Sequence, residues 1–316
     1  AVQAGTTCWP SLYDLKMRIL AAIVTYNRCR LLSRCIDHIL DQTRSPDSLV
    51  VINNGSTDNT AAMLADREVA VITQDNLGSA GGWHRAISHC LHHGFDAVWL
   101  MDDDGFPAPD SLQLLEQSLT PGIACASSVV VQIDKPDHFV FPFPFLDVNG
   151  LPVILGWPRK LFTLSSLQHF STVGTYPFAH LFNGALIASS AIKRIGNVNP
   201  EFFIFGDEVD YFFRMRQAGA VISVLEARHY HPDVTSRPYS SLKVYYYIRN
   251  TLILNKRYLN RVWLRHAMAL IAVLSRIARR NGIREALCYL MGPRLPVLFQ
   301  ALYSGLIGHL GREFNG

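Results

Sequence analysis

Residues 98–105 read VWLMDDDG: an apolar run that fits a buried strand, broken at once by three successive carboxylates. A buried, unpaired carboxylate is costly and three together more so, unless a divalent cation or strong donors neutralise them. Asp102, Asp103 and Asp104 are therefore the leading site candidates. Hard oxygen ligands suit Mg²⁺ or Mn²⁺, and those ions suit a diphosphate. The competing reading is a solvated acidic turn in which Asp104 or Asp110 caps a following helix.

The flanking sequence sets this tip in an α/β pattern. Short apolar runs at 19–25, 49–52, 69–73 and 97–101 read as strands, separated by helical patterns at 31–41, from a Ser56 cap to 66, and from after Gly82 to 92. That alternation implies a mainly parallel sheet flanked by helices, whose ligands gather beyond the carboxyl ends of the strands. Between 134 and 171 the periodicity fails, with five prolines among aromatics, which fits an irregular insertion or hairpin near the site. Strand character returns at 179–188; 202–205 reads as extended, 207–218 as a helix and 221–225 as a short strand. After Tyr239 the pattern is helical, interrupted around Gly282, Pro293 and Pro296.

A 316-residue chain can bury a large core as one elaborated domain, or one domain with an appendage. Six scattered cysteines without a CxxC pair favour reduced thiols over disulfides or structural zinc. Residues 1–16 have neither the basic start nor the apolar stretch of a signal peptide, so 1–18 reads as an extension, in which Trp9 and Leu12 are the residues able to pack. The charge is divided: 241–316 holds twelve basic and two acidic residues, a net +10, while the first 240 hold 17 and 23, a net −6. No apolar window there reaches the roughly 18 to 20 residues needed to span a bilayer, so a basic helical region lying on an anionic membrane is expected, with a packing or oligomer surface as the alternative.

Three further strand ends carry polar loops. TYNR (25–28) and INNGSTDNT (52–60) offer Thr25, Arg28 and Asn53 to a base, ribose or phosphate, although each alone is ordinary turn chemistry. In DNLGSAGGW (75–83) the glycines, Gly81 and Gly82 among them, let backbone approach a ligand, and amides entering the next helix favour an anion. It is neither a Walker loop nor GxGxxG. A second acidic cluster, GDEVDYFFR (206–214), places Asp207, Glu208 and Asp210 at a helix start, where the dipole favours negative charge whatever the function. In ARHYHPD (227–233), His229 and His231 share a face of an extended stretch, and a neutral imidazole can complete an Asp-rich metal site. YYYIRN (245–250) brings Arg249 and aromatics next to the site, or places them in a helix core.

The order and spacing of these segments resemble the inverting family-two glycosyltransferases with a GT-A fold. NLGSAGGW, WLMDDDG and GDEVDYFFR most resemble the galactofuranosyltransferases and related rhamnosyltransferases of bacterial cell-surface glycan assembly, over roughly residues 19–255. The resemblance implies a Rossmann-like mixed sheet in a catalytic domain over 19–240, with a nucleotide-binding half (19–105) and an acceptor-binding half (106–240), followed by the basic helical appendage at 241–316. It further implies that Thr25, Arg28, Asn53 and Asn76 bind nucleotide with Asp102 and Asp103, that Asp104 and His231 hold the metal with Asp102 at metal or ribose, and that Glu208 is the catalytic base. Asp207 is the competing base, and Asp210 supports the acceptor site. Asn53 and Glu208 each stand where the family usually has Asp, which leaves uridine or thymidine open.

The expected reaction is transfer of a sugar, with UDP-galactofuranose preferred as donor, to a lipid-linked or polysaccharide acceptor. The expected partners are the sugar nucleotide, the glycan acceptor and an anionic membrane surface at the cytoplasmic face of a bacterial inner membrane, with oligomers compatible and no nucleic acid. A dTDP-rhamnosyltransferase is the alternative within the class. A sugar-nucleotide pyrophosphorylase would want a basic glycine-rich loop after the first strand, which TYNRCR does not supply. A non-catalytic nucleotide-binding protein would bind donor without transfer.

Overall fold

The computed structural model describes residues 16–314 except Ser236. Trp9, Leu12 and most of the extension expected over 1–18 lie outside the described residues. The first third alternates β1 (Ile19–Thr25), α1 (Cys29–Leu40), β2 (Ser48–Asn53), α2 (Thr60–Ala65), β3 (Ala70–Thr73), α3 (Gly78–His92) and β4 (Ala97–Asp102). Then follow β5 (Phe106–Pro107), α4 (Ser111–Ser118), β6 (Ile123–Gln132), β7 (His138–Pro144), β8 (Lys160–Thr163), α5 (Leu164–His169), β9 (Thr175–Tyr176), β10 (Asn183–Ala188), α6 (Ser189–Ile195), α7 (Asp207–Met215) and β11 (Ala220–His231). Four helices close the chain: α8 (Ser241–Tyr258), α9 (Val262–Asn281), α10 (Ile283–Met291) and α11 (Leu295–Ile307).

The main sheet has the order β3-β2-β1-β4-β10-β6-β11-β5. Strands β1 to β4 pair in parallel, as do β6 and β11, while β10 runs antiparallel between β4 and β6. The carboxyl ends of β1, β2, β3, β4 and β11 therefore share one edge, and β10 brings its amino end to that same edge. β1 shows why the sheet forms. Every residue of ILAAIVT is buried, with Leu20, Ala22 and Val24 in the core that holds Trp83, Ala86 and Ile87 of α3, and Ile19, Ala21 and Ile23 in the core that holds Leu32, Ile36 and Ile39 of α1. A strand covered on both faces needs apolar residues at both phases of its period of two.

Several boundaries differ from the sequence expectation, each for a local reason. α3 begins at Gly78 rather than after Gly82, so Gly81 and Gly82 lie buried in its first turns. A Cβ on Gly82 would collide with Val24, so this glycine lets α3 lie close on β1; one on Gly81 would collide with Leu77 at the start of the same helix. Ser56 is not the α2 cap: its Oγ accepts from the Asn27 amide, and Asp58 Oδ1 instead accepts from the Thr60 amide at 3.1 Å. Residues 202–205 are not extended. Pro200–Phe202 forms a 3₁₀ turn, after which Phe203 (φ 66°) and Phe205 (φ 60°) are left-handed. Helix α7 stops at Met215, and the last strand runs on through both histidines to His231. The proline-rich stretch contains the β7–β8 hairpin and α5.

The C-terminal helices have a core of their own. Tyr245, Tyr246, Ile248 and Leu252 of α8 pack with Val273 and Ile277 of α9, Tyr289 of α10, and Leu298 and Ala301 of α11. Phe203, from the loop ahead of α7, inserts into this same cluster.

Candidate active site

The three carboxylates at the end of β4 have different partners. Asp103 is spent on the β1 loop: Thr25 Oγ1 donates to its Oδ2 at 2.7 Å, and Arg28 Nη1 donates to its Oδ1 at 2.9 Å. Burial pushes its carboxyl up, opposed by Arg28 and Thr25. Asp104 Oδ2 takes Arg28 Nη1 at 2.7 Å and Arg237 Nη1 at 2.9 Å, and its Oδ1 lies 2.9 Å from His231 Nε2. Burial works against the Asp104 anion, yet His231, Arg28 and Arg237 together hold the carboxyl well below its usual range. Asp102, half-buried, forms no ion pair among the described residues; burial and then its two acidic neighbours push it well up, with Arg28 acting against them.

His231 makes Asp104 a credible cation ligand. Its Nδ1 donates to the Pro232 carbonyl at 2.7 Å, so Nε2 is the nitrogen left to face Asp104 Oδ1. An imidazole lone pair opposite a carboxylate oxygen needs a proton or a cation between them. Asp104 Oδ1 and His231 Nε2 are thus a pair that a hard divalent ion could share. A ready-made cluster of three or more His, Cys, Asp and Glu able to hold a metal is not formed among the described residues. His229, fully buried, lies beneath the tip: a Cβ on Gly105 would collide with its ring.

The other strand-end loops are held mainly by Asn54. Its Nδ2 donates to Gly78 O at 2.9 Å, while its Oδ1 accepts from Gln74 Nε2 and the Leu77 amide. Asn53 Oδ1 accepts from the Ser56 amide at 3.0 Å, and Asn76 Oδ1 from the Gly78 amide at 3.0 Å. The Ala80 amide donates to Phe203 O at 3.1 Å. The amides of Leu77, Gly78 and Ala80, expected to cradle an anion, therefore face protein. Arg312, near the C-terminus, donates to Asn76 O at 2.8 Å and so reaches this edge from the last segment.

In the second acidic cluster, the carboxyl of Glu208 is raised more than that of Asp207. Burial, and then the adjacent Asp207, push its carboxyl up to about 7; Asp207 is pushed up to about 6 by burial, against the hydroxyl of Ser79 at 3.2 Å. About a third of the Glu208 side chain is exposed, yet Oε1 is shielded and without a hydrogen-bond partner among the described residues, while the backbone of Leu181 and Phe182 acts against the rise. Asp210 is a structural tie rather than a free acid: its Oδ2 accepts from Arg214 Nε at 2.8 Å and its Oδ1 from Tyr258 of α8 at 2.7 Å. Arg249 is fully buried and donates to the carbonyls of Glu201, Phe202 and Gly311, so it braces the loop before α7.

Sequence reasoning missed Arg237, His180, Ser79 and Asn54. Asn54 and Ser79 lay within quoted segments and His180 within the stretch read as strand at 179–188, but none was singled out; Arg237 stands outside any motif, and only the fold brings the four to this edge.

Comparison with known proteins identifies the family and the fold. The profile described as Glycosyl transferase family 2 matches residues 21–157. The galactofuranosyltransferase GlfT1 of Mycolicibacterium smegmatis is 31% identical over 221 residues, 68% of this chain and 70% of that protein. The N-acetylglucosaminyl-diphospho-decaprenol L-rhamnosyltransferase of Mycobacterium tuberculosis is 27% identical over 235 residues, 68% of this chain and 76% of that one. Among solved structures, the mannosyltransferase PcManGT of Pyrobaculum calidifontis, in complex with GDP-Man and Mn²⁺, superposes with a TM-score of 0.53 at 18% identity, covering 94% of this chain and 88% of that one. With its mixed, mainly parallel sheet and its acidic strand end, the chain belongs to glycosyltransferase family 2 and is a glycosyltransferase of GT-A fold.

Proposed function

We propose that this enzyme transfers galactofuranose from UDP-galactofuranose to a lipid-linked glycan, with inversion and with Mn²⁺ or Mg²⁺ bound. The observation that carries the reading is Glu208: a shielded carboxyl pushed up to about 7, electrostatically coupled to Asp102 across the sheet edge where the DDD tip ends. A base with that affinity accepts a proton near neutral pH.

Asp104 and His231, with Asp102 beside them, would hold the metal; when bound, it neutralises the charge that grows on the departing diphosphate. Thr25 and Arg28 orient Asp103, and Arg28 also reaches Asp104. Thr25, Arg28, Asn53 and Asn76 line the nucleotide side, and Gly82 seats α3 against Val24 of β1. Glu208 takes the proton of the acceptor hydroxyl as that oxygen attacks the anomeric carbon from the opposite face. The acceptor is presented at the cytoplasmic face of a bacterial inner membrane, where the C-terminal helices dock.

Support for the donor is the greater identity to the galactofuranosyltransferase than to the rhamnosyltransferase. Asn53, standing where Asp is usual, leaves uridine or thymidine open, and with the rhamnosyltransferase relative this makes dTDP-rhamnose the second reading. Turnover of purified protein with UDP-galactofuranose, dTDP-rhamnose and GDP-mannose in Mn²⁺ decides between them. The highest kcat/KM is expected for UDP-galactofuranose; preference for another donor rejects the assignment.

A further inference from the structure

His180 stands just ahead of β10, where the reversed strand returns the chain to the catalytic edge. Its Nε2 lies 3.2 Å from the Phe141 carbonyl, which can only accept, so the ring proton sits on Nε2 and Nδ1 presents a lone pair. Nδ1 lies 3.8 Å from Glu208 Oε1, the shielded oxygen that has no hydrogen-bond partner. The rings of Phe141, Phe143 and Phe178 surround the imidazole at 5.2 to 5.5 Å between centroids. Burial among them pushes His180 down to about 4, so the ring is neutral when the enzyme works. Two hydrogen-bond acceptors face each other here, and what the pair lacks is a proton.

We propose that His180 is a positioning residue for the base: its Nδ1 accepts a hydrogen bond from the Glu208 carboxyl once that carboxyl has taken the acceptor's proton. The proposal rests on Glu208 being the base. In the transfer step the acceptor O–H bond breaks and its proton passes to Glu208. The acceptor oxygen forms a bond to the anomeric carbon, and the anomeric C–O bond to the diphosphate breaks with its electron pair going to the diphosphate. The new O–H of Glu208 then finds its partner in His180, which gains and loses nothing. Phe141 gives this arrangement a second anchor, since its carbonyl fixes the His180 tautomer while its ring packs edge-on against His231. The other charged groups facing the pair are Asp207 on α7, Asp102 at the end of β4, and Lys160 on β8.

The test is the pH dependence of kcat and kcat/KM for the whole protein, its His180→Phe, His180→Asn and Glu208→Gln variants. Phe keeps the ring's volume without the acceptor; Asn offers an amide oxygen near the place of Nδ1. In His180→Phe, kcat is expected to fall about tenfold, the loss of one hydrogen bond worth about 1.4 kcal/mol. Its KM for the sugar nucleotide should stay unchanged, and the acid limb should move to lower pH because protonated Glu208 has lost its partner. His180→Asn should recover most of the rate. An unmoved limb with unchanged kcat in folded His180→Phe, or an Asn variant no better than Phe, overturns the pairing while an inactive Glu208→Gln leaves the base in place. Substantial turnover by Glu208→Gln instead overturns the base itself.

Discussion

Glu208 illustrates how one side chain ties activity to stability. Its carboxyl is raised from the usual 4.5 to about 7, so the native protein holds this proton more tightly than the unfolded chain does. The stability it lends is fully present below about pH 4.5 and is lost as pH rises through about 7. Catalysis has the opposite sign, because the proposed base acts only when deprotonated, so kcat/KM should rise with pH through an apparent pKa near 7. Glu208→Gln keeps shape and can donate to His180, but it cannot take a proton. Turnover should drop by about 10² to 10⁴, while the variant melts at a higher temperature than the parent at pH 8 and at nearly the same temperature at pH 4.5. Equal melting curves at pH 8 would contradict the buried placement of this carboxyl. Asp104→Ala is the companion experiment: calorimetric titration with Mn²⁺ should show lost binding in a folded protein, since the stranded partners Arg28 and Arg237 are each more than a third exposed and remain solvated. At this scale the sequence was legible where chemistry is concentrated, in three adjacent acids that no ordinary strand end tolerates. Arg237 and His180 were not, because a lone Arg or His has no meaning until the fold supplies its neighbour.

Secondary-structure elements were legible in proportion to how much of their pattern is dictated by burial. β1, expected at 19–25, spans Ile19–Thr25 because both faces are covered, whereas α3 was expected late since three glycines read as a loop. Tertiary packing overrides that propensity: Val24 needs the space at Gly82, and the Phe203 carbonyl takes an amide of the first turn. Phe203 and Phe205 pay for this with left-handed backbone, a strain of about 1 to 3 kcal/mol each in non-glycine residues. α8 holds them there. Asn250 Nδ2 donates to the carbonyls of Phe202, Ile204 and Phe205, at 3.1, 2.9 and 2.7 Å, and so fixes the residues that lead into Asp207 and Glu208. Asn250→Ala should cost about 1 to 3 kcal/mol in urea unfolding, the usual penalty for buried acceptors left unmade. It should also lower kcat more than it weakens donor binding, because the loop it frees carries the base and not the nucleotide loops. A kcat unchanged at that stability loss would separate α8 from catalysis.

For the molecule as a whole, the question is what the C-terminal helices face. The net +10 of 241–316 overstates the charge available: Arg249 and Arg265 are buried, Arg276 packs against Tyr239 and Tyr247, and Arg294 pairs with Glu285 at 2.8 Å. The structure adds an apolar component that charge counting cannot see. On α10, Ile283, Leu287, Leu290 and Met291 recur at helical spacing and are exposed, Ile283 at 70% and Met291 at 77%. On the adjoining α11, Phe299, Tyr303, Leu306 and Ile307 do the same, with Phe299 at 62% and Tyr303 at 66%. Among the described residues no helix is long and apolar enough to cross a membrane. Two exposed apolar stripes with arginines beside them suit a helix pair lying in the interface, the apolar side chains entering the headgroup boundary and each exposed basic residue near an anionic surface adding about 1 kcal/mol. Flotation with anionic and neutral vesicles should therefore show binding that prefers anionic lipid and only partly yields to salt, since salt screens the arginines within a Debye length but not the apolar stripe. Replacing Ile283, Met291, Phe299 and Tyr303 together by Ser should abolish the salt-resistant part and leave donor turnover with a water-soluble acceptor intact. Equal binding by parent and variant would assign these stripes to contact between protein copies, which sedimentation of the two proteins without lipid would then reveal as a difference in oligomeric state.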